Sequence, residues 1–132
     1  MSTSHSRVYI KKDLAQTRAY SPAVITQGGR IVWLAGQTVV ADSTGKSLAG
    51  DFVGQVREVF SLISNTLDQA GGSLKDIVTM TVSITDGRYG DTFTKLRAEI
   101  FGDDFPASAL ITVTGLAKPE MLVEVQAIAV VD

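Results

Sequence analysis

Glu124 and Gln126 stand as neighbours on one face of a segment, 121–131, that is otherwise almost entirely aliphatic. Its odd positions, Met121, Val123, Val125, Ala127, Ala129 and Val131, are wholly apolar, whereas the even ones run Leu122, Glu124, Gln126, Ile128, Val130. That alternation is the period of a β-strand with one face for a core. A carboxylate on the other face could hold a water and take its proton. Equally, the two polar groups could simply be solvated. Residues 76–85 repeat the pattern, with Val78, Met80, Val82 and Ile84 on one side and Thr79, Thr81, Ser83 and Thr85 on the other. Two such mixed faces fit burial against a second copy of the chain, with a polar pocket at the seam.

Other residues of chemical interest are few. Arg88, in Asp86-Gly87-Arg88-Tyr89-Gly90, joins a strand end to a helix start, where a fixed cation could meet an anionic metabolite or merely face water. Gly36 in Leu34-Ala35-Gly36-Gln37 lies at a strand end, and marks either a close ligand approach or a bulge. Gly45-Lys46-Ser47 has the ending of a phosphate-binding loop, but Val40 occupies the position of its first glycine, so a turn is expected. Asp103-Asp104 reads as a pair of loop carboxylates rather than a metal site. His5 is the only histidine and lies near the N-terminus, which argues against histidine triads and histidine metal cages. With no cysteine, thiolate chemistry and disulfides are excluded.

The elements that position these residues follow from spacing. Strands are expected at 7–11, 22–27 and 30–37, with Gly28-Gly29 as a hairpin turn between the last two. A loop covers 38–50. Phe52, Val56, Val59, Phe60, Ile63, Leu67 and Ala70 keep a 3–4 spacing, so a helix should run over 52–70 with Asp51 as N-cap and Gly71-Gly72 as its stop. A strand at 76–85 precedes a helix at 92–101, with Asp91 as cap and Phe93, Leu96 and Ile100 inward. Strands at 108–114 and 121–131 complete the order β-β-β-α-β-α-β-β. This is an α+β sandwich in which both helices cover one sheet face.

At 132 residues and a formal net charge of −2, the chain makes one domain, 1–132, with no basic stripe for nucleic acid. No stretch reaches the length of a membrane span, and the N-terminus carries no apolar leader core, so a cytoplasmic protein with neither membrane nor nucleic-acid partner is expected.

The segments "YSPAV", "VWLAGQ", "VREVFSLISNTLDQAGGSLKDIVTMTVSITD", "FPAS" and "LVEVQAIAV", in this order, resemble the reactive-intermediate deaminase (Rid, or YjgF-like) family from about Tyr20 onward. The resemblance implies a chorismate-mutase-like fold, with a mixed sheet of about six strands. It also implies a homotrimer whose sheets line a central barrel, with pockets at the subunit interfaces. Family members hydrolyse imines and enamines, such as 2-iminopropanoate or 2-aminoacrylate, to the keto acid and ammonia, with no metal or organic cofactor. In them an arginine directly after "FPA" clamps the substrate carboxylate and a glutamate of the last strand positions the attacking water. Glu124 matches that glutamate, and Gly36 matches a pocket glycine.

The clamp does not carry over, because Ser108 stands in the arginine's place. Thr94 replaces a pocket asparagine and Leu110 a pocket cysteine, while the tyrosine expected near Ala23 is absent, Tyr20 being close by. The resemblance therefore implies an imine or enamine deaminase with a reshaped pocket, open to a 2-aminomuconate-type substrate. Ser108, Thr94, Gly36 and Arg88 would bind the substrate, and Glu124 would be catalytic. The alternative is a catalytically weak relative that binds a small acid or acts through a partner.

Overall fold

The computed structural model describes residues 6–132. Its strands are β1 (Ser6–Ile10), β2 (Ala23–Gln27), β3 (Arg30–Trp33), β4 (Ile77–Ile84), β5 (Ala107–Thr112) and β6 (Val123–Val131). Its α-helices are α1 (Asp13–Thr17), α2 (Phe52–Gln69) and α3 (Gly90–Phe101). The α+β class and the six strands agree with the sequence pattern. The five-residue α1 was not anticipated, since one turn and a half is too short to show a helical period. His5 lies outside the described residues.

The strands divide into a β1-β2 ladder and a four-stranded sheet in the order β3-β6-β4-β5. Only β4 and β5 run parallel, joined by α3 as the crossover; the other pairs are antiparallel. Gly28 and Gly29 both adopt the left-handed conformation, with φ of 77° and 78°, so they do turn the chain. They do not close a ladder, however, because β2 pairs with β1 and β3 with β6.

The Asp51 carboxylate accepts from Gly54 N at 2.9 Å and caps α2, as its sequence position suggested. Asp91 does not cap α3. A 3₁₀ turn at Gly87–Tyr89 runs straight into α3, and the capping side chain is Asp86, which accepts from Arg88 N. Asp91 falls inside the first turn of α3 and pairs with Arg18 at 3.2 Å. Gly45, with φ of 87°, sits in a turn whose Thr44 and Lys46 amides bond to Asp42.

The core lies between α2, α3 and one sheet face. Val123, Val125, Ala127, Ala129 and Val131 of β6 are all buried there, against Val56, Val59, Ile63 and Leu67 of α2 and Phe93 of α3. In β4 the alternation breaks at its start. Ile77 opposes Ala129 and Thr79 opposes Ile128, so a bulge turns Ile77, not Val78, into the core. The other sheet face is open, with Trp33 73% and Ile31 55% exposed beside Thr81 and Gln126. Gln55, fully buried on α2, donates to the Leu48 and Glu120 carbonyls and accepts from Leu122 N, which fixes the entry into β6 two residues before Glu124. No helix among the described residues is long and apolar enough to cross a membrane.

Candidate functional site

Ser108 is the second residue of β5 and opposes Met80, a core residue, so its side chain points to the helix side of the sheet. There it meets α3. Arg97 Nη1 donates to Ser108 Oγ at 2.6 Å, and Nη2 donates to the Arg18 carbonyl at 3.2 Å. Arg18, Tyr20, Thr94, Arg97, Ser108 and Leu110 line a cleft of about 230 Å³ between α3 and β5. Ser108 and Thr94 thus line one cleft. Tyr20, close in sequence to Ala23, lines the same cleft.

Arg97 was missed by sequence reasoning. It is only 3% exposed, and its guanidinium lies 5.2 Å from the Phe93 ring centroid. Burial, with a smaller contribution from the Arg18 charge, pulls its pKa down to about 10. A signal was available: Arg97 falls four residues after Phe93 and one after Leu96, inside the buried stripe of α3, where a cation is out of place.

Arg88 lies outside this cleft. Its side chain is 90% exposed and folds back on Asp86, with Nε and Nη2 donating to that carboxylate at 2.6–3.1 Å. The same bonds hold the Asp86 pKa down at about 2. Asp86, which caps the turn two positions away, thus holds the Arg88 guanidinium in an exposed ion pair.

Gly36 and Glu124 form a second locus. After β3 the chain stays beside β6, with Gln37 N donating to Val125 O and Val125 N to Gln37 O. Trp33 opposes Ile128 while Gln37 opposes Val125, so one extra residue is accommodated on this side. Gly36 sits in that bulge, and a Cβ built on it would stand 2.8 Å from Glu124 Oε2. The bulge and the close approach are one feature.

The two loci do not meet within one chain. Glu124 opposes Ser83 on the open face, whereas Ser108 opposes Met80 on the helix face. β4 also lies between β6 and β5, a separation of two strand spacings or about 10 Å.

A mixed sheet backed by helices, with an arginine-lined cleft at its β5 edge, makes this an α+β domain with a candidate ligand cleft. The chain belongs to the Endoribonuclease L-PSP family, whose model matches residues 10–131, and it is a Rid-like protein. It is similar to a RutC family protein of Pyrococcus horikoshii, 34% identical over 110 residues, 83% of this chain and 85% of that one. The 3-aminoacrylate deaminase RutC of Acinetobacter baylyi is 32% identical over the same length and shares of the two chains. Among solved structures, the Rid family protein YyfB of Yersinia pestis matches with a TM-score of 0.83 at 25% identity, covering 95% of this chain and 98% of its own. RidA from an Antarctic Psychrobacter matches with a TM-score of 0.71 at 31% identity, over 85% and 88%.

Proposed function

We propose that the protein is an imine/enamine deaminase that works as a homotrimer, with Glu124 as its general base. The observation that carries this is the Glu124 carboxylate lodged over Gly36 on a strand face whose other residues are Leu122, Gln126, Ile128 and Val130. The 32% identity to a 3-aminoacrylate deaminase supports the reaction class. An enamine tautomerises to its imine, whose carbon is electrophilic once the nitrogen is protonated. Glu124 takes a proton from a water as the oxygen adds to that carbon. The carbinolamine then collapses, its nitrogen leaving as ammonia and its oxygen remaining as the keto group.

The acid end of the substrate lies in the cleft of Tyr20, Thr94 and Ser108. Since that cleft and Glu124 occupy opposite sheet faces, the working pocket joins the cleft of one protomer to Glu124 of the next. The exposed Trp33 and Ile31 supply the apolar contact area for such an assembly. A formal charge of −2 gives little attraction for phosphates, which favours a small acid over RNA as the substrate.

One feature favours a second reading, a binding protein with little turnover: Ser108 offers a neutral hydroxyl where the family resemblance implies a cationic clamp. Ammonia release from 2-aminoacrylate, 3-aminoacrylate and 2-aminomuconate, measured beside Glu124→Gln, separates the two. Turnover that depends on Glu124 supports the deaminase, and its absence on all three substrates leaves the binding protein.

A further inference from the structure

Arg97 is a buried cation without an anion. Among the described residues no carboxylate pairs with it, and its Nε–H finds no acceptor at all. Of the five N–H donors of a guanidinium, the fold engages one on each terminal nitrogen, and both acceptors are neutral oxygens. A protein that buries a charge in this way destabilises its own empty state unless a counter-ion arrives. The cation–π contact with Phe93 and the Ser108 bond hold the group in place while leaving its charge uncompensated.

We infer that Arg97, reaching across from α3, anchors the substrate's carboxylate at the position that Ser108 leaves neutral. Ser108 Oγ already accepts from Arg97, so its own hydroxyl hydrogen is free to donate. The guanidinium and this hydroxyl therefore offer donors from two sides of one cleft, as a carboxylate requires. Arg18 lines the mouth, and its bond to Asp91 is an exposed pair that an incoming anion can exchange at little cost. The cation of this cleft is thus supplied from α3, and the β5 residue beside it is neutral. A guanidinium rooted in α3 enters the cleft from another side than one rooted in β5, so it sets a different substrate orientation and length.

The inference rests on the deaminase reading only for the identity of the acid, and its test needs no turnover. Calorimetric titration with 2-oxobutanoate, an unreactive keto acid, is compared with its uncharged amide on the wild type, Arg97→Met, Arg97→Lys and Arg88→Ala. The wild type and Arg88→Ala are expected to prefer the acid by at least about tenfold, the scale of a charge-assisted hydrogen bond. Arg97→Met should lose that preference while melting no lower than the wild type, because it removes an uncompensated buried charge. Arg97→Lys should keep part of it. Equal binding of acid and amide by the wild type overturns the inference, as does an Arg97→Met protein that still prefers the acid. An Arg97→Met chain that cannot fold, alongside an Arg97→Lys chain without the preference, makes the residue structural. Should acid binding depend on Arg97 while no imine is hydrolysed, only the deaminase reading fails.

Discussion

The α-carbon of Gly36 lies so close to the Glu124 carboxylate that any side chain there would contact Oε2, a Cβ standing 2.8 Å away. The neighbour is the far end of a flexible side chain, so Gly36→Ala should fold and melt near the wild type while pushing the carboxylate aside. Displacing a general base by an ångström costs on the order of a hundredfold. Ammonia release from Gly36→Ala should fall by about that factor with acid binding unchanged. Full activity would show that the close approach has no catalytic consequence.

Glu124→Gln keeps the shape of the side chain and removes the base. It should assemble and bind 2-oxobutanoate normally, yet lose at least about a hundredfold in single-turnover hydrolysis. A variant with full rate would make Glu124 structural and bring the binding-protein reading forward.

Light scattering should give three times the chain mass, and Trp33→Asp should reduce it. Complementation is the sharper test. Co-refolding Glu124→Gln with Arg97→Met chains should restore roughly a quarter of wild-type activity, since in a random mixture about that share of pockets draws both intact halves from different chains. No recovery would mean that the two loci serve one chain or none.

Ser108→Arg alone should not create a carboxylate clamp. The Ser108 hydroxyl stands 2.6 Å from Arg97 Nη1, so a second guanidinium there meets a like charge in a buried place. We expect a loss of about 1–3 kcal/mol in stability and little gain on 2-iminopropanoate. Combining it with Arg97→Met should recover both. A large gain from the single variant would show that Arg97 yields easily.

The pH dependence of acid binding follows from Arg97, whose burial holds its pKa at about 10. Only the protonated guanidinium attracts a carboxylate. Affinity for 2-oxobutanoate should therefore stay level from pH 7 to about 9 and fall as pH rises through about 10, later if the bound anion stabilises the cation. For the empty protein the sign is opposite. The folded pKa lies below the unfolded one, so the unfolded chain holds more protons above pH 10 and stability rises with pH there. Titration calorimetry across this range checks the binding limb.

Much of this protein is readable along the chain, because period-2 and period-3.6 patterns are local. The alternation of 121–131 already separates a core face from a face bearing Glu124, and the 3–4 spacing after Asp51 already defines α2. The β4 bulge is not readable, because it depends on how β6 lies beside it. Nor is the capping of α3, which passes from Asp91 to Asp86 once a 3₁₀ turn joins the helix. Arg88 and Arg97 show the difference most clearly. Both are arginines nine residues apart, and sequence position favours the loop residue as a ligand. Tertiary packing reverses the choice: Asp86, two residues away, neutralises Arg88 in the open, while helix packing carries Arg97 inward to Ser108 and leaves its charge unmet. Charge compensation is a property of neighbours in space, and only the folded chain determines those neighbours.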